Sequence, residues 1–238
     1  MTIQTVSGFE FKRVHTSAEL NEIFKLRYKV YVEEWGFEKA EDHIKGVELD
    51  DYDDSALHFM ALRHGNLIGT IRMILSSQKG LPIQKNCTIN QDLDCIDHSK
   101  IAEISRLAVS KDYRRRQEDA QMYGSDSQSV LPFPVAEEMS SKRRRQEVII
   151  GLFKAMYAES KIIGLTHWCA VMAKALHILL TRLGIIFKPI GPEVDYHGRR
   201  IPYLLCIEEA ERIMERINPM LYREFAEAAR DERIASGR

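Results

Sequence analysis

The segment IAEISRLAV, residues 101–109, contains the residue types that acid–base chemistry requires. Its pattern predicts a β-strand, on which Glu103 and Ser105 share one face and Arg106 lies on the other. An amine nucleophile arrives protonated and must lose a proton before it attacks a thioester, so a carboxylate at a strand edge is a candidate general base. The alternative is a surface strand with a salt bridge, and composition alone favours that alternative.

Two segments that precede this strand could bind a small charged substrate. Arg27 lies on a predicted helix in LRYKVYVEEWGFE, residues 26–38, and could meet a substrate carboxylate. Asp50 and Asp53 lie in ELDDYDD, residues 48–54, and could meet an amine. The alternative is a capped helix followed by a solvated acidic turn, and spacing alone favours it.

Arg72 interrupts an otherwise apolar strand, GTIRMIL, residues 69–75. A buried arginine needs a partner, because an unpaired charge inside a protein is costly. Asp50 and Glu103 are the natural candidates for that partner.

The secondary-structure pattern is mixed, with helical and strand-like runs in alternation. Residues 117–145 differ from the rest, because they are polar, contain two prolines and end in a basic run; we expect a mobile flap there. The other predicted elements are a capped helix from Ser17, a hairpin of 57–63 and 67–75, a strand at 101–109, a helix at 148–163, a strand at 166–172, a helix at 174–183, strands at 185–190 and 201–207, and a terminal helix at 208–233 interrupted near Pro219.

Composition sets limits on the class of protein. The 238 residues are 45% hydrophobic and 29% charged, which is typical of a folded domain. The formal net charge of −1 gives no global attraction to nucleic acid or to an anionic membrane. The first residues do not resemble a signal peptide and no apolar run is long enough to span a membrane, so we expect a cytoplasmic protein. The four cysteines form no CxxC pair, and no metal site is expected.

The ordered segments LRYKVYVEEWGF, ELDDYD, GTIRMIL and AEISRLAV resemble the acyl-homoserine-lactone (autoinducer) synthases. That family has a GNAT-like fold and acylates the amine of S-adenosylmethionine from acyl carrier protein. The resemblance implies functional roles for seven residues: Arg27, Asp50, Asp53, Arg72, Glu103, Ser105 and Arg106. The family usually has a tryptophan where this chain has Phe37.

Segments of the second half resemble the exosortase (PEP-CTERM) system-associated acyltransferases and the long-chain N-acyl amino acid synthases. These segments are LPIQKNC, EISRLAVSKDYRRR, GLTHWCAVM and LLTRLGIIFKPIGPEVDYHGRRIPY. The resemblance implies an α/β GNAT-like acyl-CoA N-acyltransferase fold over residues 1–210, with a central mixed, mostly antiparallel sheet flanked by helices and a helical extension at 211–238. It also implies transfer of a long-chain acyl group to the amine of an amino acid or a similar small acceptor. Glu103, Ser105 and Arg106 would be catalytic, and the substrate-binding residues would be Arg27, Tyr31, Phe37, Asp50, Asp53, Arg72 and Trp168.

The stretch KDYRRRQEDAQ bears on the acyl donor. Acyl-CoA users usually have a glycine-containing loop here, whose backbone N–H groups hold the pyrophosphate, and this chain has no glycine before Gly124. This weakens the case for acyl-CoA, so we expect an acyl carrier protein thioester as donor, with acyl-CoA as the alternative, and no tightly bound cofactor. Acyl carrier proteins are acidic, so the predicted docking residues are basic: Arg114, Arg115, Arg116, Arg143, Arg144 and Arg145. The alternative is a solvated charge run or a nucleic-acid patch.

Two rival functions remain open at this point. One is a true autoinducer synthase that acylates S-adenosylmethionine. The other is a GNAT-like module that binds acyl chains without catalysis. A turnover assay separates enzyme from module, and the identity of the acceptor separates the two enzymes.

Overall fold

The computed structural model describes residues 2–4, 8–90, 93–110, 136–196 and 198–235. The described chain divides into two compact units. The first contains residues 2–4, 8–72, 106–110 and 136–155, and the second contains 73–90, 93–105, 156–196 and 198–235. Three elements pass from one unit into the other: strand β4 (Asn66–Leu75), strand β5 (Ile101–Val109) and helix α3 (Ala136–Ile163). Of the predicted flap at 117–145, residues 117–135 lie outside the described residues, as do the docking residues Arg114, Arg115 and Arg116. Residues 136–145 belong to a helix, and a mobile flap stays a prediction.

The first unit is built on strands in the order β1-β2-β3-β4-β5. The pairs β1–β2 and β2–β3 are antiparallel, and Phe11 of β2 lies opposite Ala61 of β3. The elements of this unit are β1 (Thr2–Gln4), β2 (Phe9–Arg13), α1 (Ser17–Tyr28), a π-helical segment (Lys29–Glu34), short 3-10 turns (Ala40–His43 and Asp53–Ser55), β3 (Ala56–Arg63), most of β4 (Asn66–Leu75), the end of β5 (Ile101–Val109) and the first part of α3 (Ala136–Ile163).

Helix α1 begins where the sequence predicts a cap. The Thr16 side chain accepts the backbone N–H of Glu19, and the Glu19 carboxylate accepts the backbone N–H of Thr16, which is a capping box. The helix buries Ile23, Leu26 and Arg27, so its inner face carries one charged group among apolar ones. It then continues as a π-helical segment, a form found frequently at functional sites.

The second unit has strands in the order β4-β5-β6-β9-β7. Strand β6 runs parallel to β5 and antiparallel to β9, which puts Glu103 opposite Cys169 and Cys169 opposite Leu204. The elements of this unit are α2 (Pro82–Asn86), short turns (Leu93–Cys95 and His98–Lys100), the first part of β5, the last part of α3, β6 (His167–Met172), α4 (Lys174–Arg182), β7 (Lys188–Pro189), β8 (Val194–Asp195), β9 (Arg199–Cys206), α5 (Ile207–Ile217) and α6 (Pro219–Ala235).

The predicted fold class, a mixed α/β protein with a mostly antiparallel sheet flanked by helices, is confirmed. The strand at 101–109, the hairpin and the interruption before Pro219 are also confirmed. Two boundaries differ: α3 begins at Ala136 rather than at 148, and the predicted strand at 185–190 is reduced to Lys188–Pro189. In the described part of the chain no helix is both long and apolar enough to cross a membrane. The proposed domain boundaries and the cytoplasmic location stay predictions.

Gly151 allows helix α3 to pack directly on strand β2 in the first unit. A Cβ atom at this position would lie 2.2 Å from Cζ of Phe11 and 2.3 Å from its Cε2, well inside contact distance. Phe11 is fully buried, so its ring has no room to retreat. The absence of a side chain at Gly151 therefore sets how closely the helix and the sheet approach.

We predict that Gly151→Ala lowers the free energy of unfolding by about 1–3 kcal/mol, because overpacking a rigid core costs that much. Helix propensity acts in the opposite direction, since alanine is better than glycine by about 1 kcal/mol inside a helix. Urea denaturation of the variant measures the change in the free energy of unfolding and shows which of the two effects is larger. Phe11→Leu removes the clashing ring atoms, so the double variant should recover part of the loss. A stabilised Gly151→Ala protein would contradict the close contact.

Candidate active site

Three arginines and three carboxylates of the first unit form a closed ring in which the charges alternate. Each arginine lies between two carboxylates and each carboxylate between two arginines. The positive and negative charges of the ring therefore cancel. In order around the ring, the members are Arg106, Glu48, Arg27, Asp53, Arg72 and Asp50.

Arg27 forms the innermost part of the ring. Its Nε donates to Glu48 Oε2 at 2.5 Å, and its two Nη atoms donate to the two Asp53 carboxylate oxygens at 2.7 and 3.1 Å. The Arg27 and Glu48 side chains are each 1% exposed. Since all of this guanidinium faces protein carboxylates, the geometry favours a role for Arg27 in holding Glu48 and Asp53 rather than in binding a substrate carboxylate.

Arg72 joins the two aspartates. Its Nη1 and Nη2 donate to the Asp50 carboxylate oxygens at 2.7 and 3.0 Å, and Nη1 also donates to Asp53 at 2.8 Å. Asp50, one of the two partners that the sequence suggests for Arg72, is thus confirmed. The Asp53 carboxylate also accepts the backbone N–H of Asp50, so the acidic turn is fixed by the groups it pairs with.

Arg106 closes the ring from strand β5. Its Nε donates to Glu48 Oε1 at 3.0 Å, while its Nη2 lies 3.3 Å from Asp50 and 3.4 Å from Glu38. The backbone of Arg106 is left-handed, with φ of 51°, which is uncommon for a residue with a side chain. The regular alternation predicted from Glu103 through Arg106 therefore does not continue through Arg106.

The arginines keep the ring carboxylates ionised. Burial alone raises the pKa of Glu48, Asp50 and Asp53, but the attraction of the adjacent arginines outweighs it, and each pKa lies below its ordinary value. Burial alone lowers the pKa of Arg27, but the attraction of Glu48 and Asp53 outweighs it, so the pKa of Arg27 lies above its ordinary value. The ring therefore remains fully charged at neutral pH.

One side of the ring reaches solvent. The Asp50 side chain is 29% exposed and that of Arg106 15%, whereas the other four members are 6% exposed or less. Glu38 lies beside Arg106 on this side, with its side chain 23% exposed. We call Asp50, Arg106 and Glu38 the rim of the ring. The rim presents two carboxylates and one guanidinium, which suits a small zwitterionic or cationic ligand.

Tyr31 lies next to the rim, and Trp35 and Phe37 pack in the same apolar cluster as Tyr31. The Arg106 guanidinium is 5.7 Å from the ring centroid of Tyr31, whose hydroxyl donates to the Leu107 carbonyl at 2.9 Å. Trp35 and Phe37 stack on each other with centroids 6.0 Å apart and planes 12° apart. The predicted substrate-binding residues Tyr31 and Phe37 thus belong to the same apolar cluster as the helix that carries Arg27.

Glu103, the predicted general base, belongs to the second unit. Its Oε2 accepts the backbone N–H of Ile83 at 2.7 Å, and the residue is 4% exposed. Its charge adds to burial in raising the pKa of the Cys169 thiol. Ser105 follows on the same strand and is half-buried. The roles of Glu103, Ser105 and Arg106 in catalysis stay predictions.

Trp168 lies in the core of the second unit. It is 2% exposed, and its indole N–H donates to the Ser160 hydroxyl at 3.0 Å. It borders a cavity of about 10 Å³, about enough for one water molecule and too small for an acyl chain. The other residues around this cavity are Tyr157, Ile185, Leu205, Ile207, Ala210, Glu211, Met214 and Phe225. An acyl tunnel at Trp168 stays a prediction.

The second run of predicted docking arginines lies on helix α3. Arg143 is exposed and Arg144 half-buried, so both present charge at the surface. Arg145 is only 9% exposed, and the surface charge of this run therefore comes from the other two.

Sequence reasoning missed three residues of the first-unit site: Glu38, Glu48 and His58. A charge count offers a signal for Glu48, because three arginines within apolar elements require more carboxylates than Asp50 and Asp53 supply. His58 is 4% exposed, with Nε2 3.6 Å from Asp53 Oδ1 and its ring edge-on to Phe24. Nothing in the strand pattern ALHFMALR distinguishes His58 from a surface residue.

A protein-family model matches part of the chain. Residues 26–123 match the family model of the acetyltransferase (GNAT) domain. No curated protein matches the chain in sequence.

Several solved structures share the fold. FeeM, an N-acyl amino acid synthase from uncultured soil microbes, is 14% identical, with a TM-score of 0.53 over 89% of this chain and 98% of FeeM. The acyl-homoserine-lactone synthase LasI is 19% identical, with a TM-score of 0.54 over 83% of this chain and 88% of LasI. BjaI, a CoA-dependent acyl-homoserine-lactone synthase solved with S-adenosylmethionine and isopentyl-CoA, is 17% identical, with a TM-score of 0.57 over 92% and 97% of the two chains.

The domain match and the shared fold together support an acyltransferase with a GNAT-like fold, as the sequence resemblance implies. Identities below 20% establish the fold and leave the substrates to be determined by experiment. The resemblance to exosortase-associated acyltransferases stays a prediction.

His58 makes the ring sensitive to acid. Burial, together with the nearby charges of Arg27 and Arg72, lowers the pKa of His58 to about 4, although Asp53 opposes this shift. The unfolded chain binds this proton near pH 6.5 and the folded chain only near pH 4, so stability is lost as pH falls through that window. We predict that His58→Phe loses about 2 kcal/mol less unfolding free energy than the parent protein between pH 7 and pH 5.

Urea denaturation of both proteins at the two pH values measures this difference. The carboxylates are common to both proteins, so their contribution cancels in the comparison. The same pH dependence in parent and variant would show that His58 is accessible to protons in the folded state.

Proposed function

We propose that the chain transfers a long-chain fatty acyl group from an acyl carrier protein thioester to the amine of an amino acid or similar small acceptor, and the match of residues 26–123 to the acetyltransferase (GNAT) domain supports this proposal. The observation that carries this proposal is the charged ring with its solvent-facing rim. The ring offers fixed charges of both signs at one place, which is what recognition of a small amine with a second charged group requires.

In this proposal the rim binds the acceptor. Asp50 is held ionised by Arg72 and accepts the acceptor ammonium, and Arg106 meets an acceptor carboxylate. Arg27 and Arg72 keep the carboxylates in place, since their own donors are directed into the ring. Tyr31, Trp35 and Phe37 would contact the apolar part of the acceptor.

Glu103 acts as the general base in the proposed reaction. It takes a proton from the acceptor ammonium, directly or through water, and the amine nitrogen then attacks the thioester carbonyl carbon. Backbone N–H groups near Ser105 would stabilise the oxyanion of the tetrahedral intermediate. The C–S bond then breaks, and the second proton of the attacking nitrogen passes to the departing thiolate, so that an amide and a thiol are the products. Glu103 afterwards releases its proton to solvent.

Product analysis tests the proposed function. We predict a series of N-acyl amino acids or related amides in organic extracts of cells that overexpress the protein, as measured by mass spectrometry. Glu103→Gln should lower transfer by about 10²-fold or more. Its amide oxygen can still accept the Ile83 N–H, so the fold should persist.

Glu209→Gln is the control, because it removes the charge of an exposed, ion-paired carboxylate. Acyl-homoserine lactones as the only products would favour an autoinducer synthase instead. No acylated product in cells and with purified protein would leave a non-catalytic acyl-binding module.

Variants on helix α3 test whether the acyl donor is an acyl carrier protein. We predict that the double charge reversal Arg143→Glu, Arg144→Glu raises the apparent KM for an acyl carrier substrate about tenfold, because the carrier is acidic and docks on surface charge. Transfer from a small acyl thioester, which does not touch that surface, should change by less than about twofold. Steady-state kinetics with both donors measure the contrast.

The double reversal Arg212→Glu, Arg216→Glu on the exposed face of α5 controls for net charge. Equal losses with both donors, or an unchanged KM for the carrier substrate, would refute docking at Arg143 and Arg144.

A further inference from the structure

Glu48 is the most enclosed carboxylate of the ring and contacts two arginines at once. One carboxylate oxygen accepts a hydrogen bond from Nε of Arg27 at 2.5 Å. The other accepts a hydrogen bond from Nε of Arg106 at 3.0 Å and lies 3.0 Å from Nη2 of the same arginine. Its side chain is 1% exposed, so it has no route to a ligand of its own. Its backbone N–H donates to the Phe24 carbonyl of helix α1 at 3.1 Å, which fixes where the carboxylate lies.

Arg106 depends on Glu48 more than on its other ring partner. Of the carboxylates that it meets in this cluster, Glu48 is bound at 3.0 Å, while Asp50 and Glu38 lie at 3.3 and 3.4 Å. Contacts at these longer distances restrict orientation weakly. The pair of contacts from one Glu48 oxygen to Nε and Nη2 holds the edge of the guanidinium, and this fixes the direction in which the opposite edge points.

We propose that Glu48 is a positioning residue for the acceptor, acting through Arg106. This proposal rests on the proposed function, in which Arg106 meets the acceptor at the rim. Glu48 does not touch the acceptor; it holds the Arg106 guanidinium in the orientation that the acceptor needs. Loss of Glu48 should therefore weaken acceptor binding and leave donor binding unchanged.

A purely structural role for Glu48 makes a different prediction. If Glu48 only neutralises the buried Arg27, its removal lowers the melting temperature without a selective effect on the acceptor. The two roles are separated by which KM changes and by whether the effect of Glu48 requires Arg106.

The test is a double-mutant cycle on the purified full-length enzyme, with Glu48→Gln, Arg106→Gln and the double variant. We expect Glu48→Gln to raise the acceptor KM about tenfold, as the loss of a charged hydrogen bond does, with the donor KM within twofold of the parent. Because Glu48 acts through Arg106, the double variant should be no worse than Arg106→Gln alone. Glu19→Gln, which breaks the Lys12–Glu19 ion pair outside the ring, is the control and should leave both constants unchanged.

Thermal melts accompany the kinetics. If Glu48→Gln does not fold, Glu48→Asp replaces it, because aspartate keeps the charge but is one methylene too short to reach both Arg27 and Arg106. That variant should raise the acceptor KM in the same selective way, by a smaller factor.

An unchanged acceptor KM in a folded variant, equal rises in both KM values, or additive effects in the cycle would overturn the positioning role while the proposed function stands. A parent enzyme that transfers no acyl group to any amine would overturn both.

Discussion

The first unit depends on one constraint: three arginines placed among apolar elements must each be paired. An isolated buried charge costs several kcal/mol. In an open row of alternating charges, the group at each end has a neighbour of opposite charge on one side only. Closure into a ring removes the ends, because every member has a neighbour of opposite charge on both sides. The ring joins helix α1, the acidic turn, strand β4 and strand β5, which supply Arg27, Asp53, Arg72 and Arg106. Removal of any member leaves two neighbours each with one partner fewer.

Closure also decides what the ring can do for a ligand. The inner members contact only protein, so their charges contribute a fixed field and bind nothing themselves. Because the arginines hold the pKa of Asp50 below its ordinary value, this rim carboxylate is already ionised before a ligand arrives. A site whose charges are already oriented needs little reorganisation when a charged group arrives, and this is the physical basis of electrostatic preorganisation. Packing in the rest of the unit must compensate for the free-energy cost of burying these charges.

The sequence predicts local features well and their assembly only in part. Strand β5, the hairpin and the cap of α1 could be predicted because each depends on residues close in sequence: the spacing of apolar residues and the residue types that begin or end an element. The partnership of Arg72 with Asp50 follows from the rule that buried arginines are paired. A charge count indicates that the arginines need a further carboxylate, but it does not show that Glu48 pairs with Arg106, because the two residues are distant in sequence. The early start of α3 escaped prediction because its first turns are polar and lack an apolar period.

Arg106 combines a left-handed backbone with a planar guanidinium that lysine could not replace. A left-handed residue with a side chain is strained by about 1–3 kcal/mol, and such strain persists only where the surrounding contacts fix it. Arg106 has three carboxylates around its guanidinium, and it reaches them with Nε and Nη2, two donors in a rigid plane. A lysine ammonium is a single point on a flexible stem and could not hold the same set of directions. The left-handed backbone and the planar side chain of Arg106 therefore support each other. The backbone directs the guanidinium towards the carboxylates of the ring, and these contacts stabilise the strained backbone conformation.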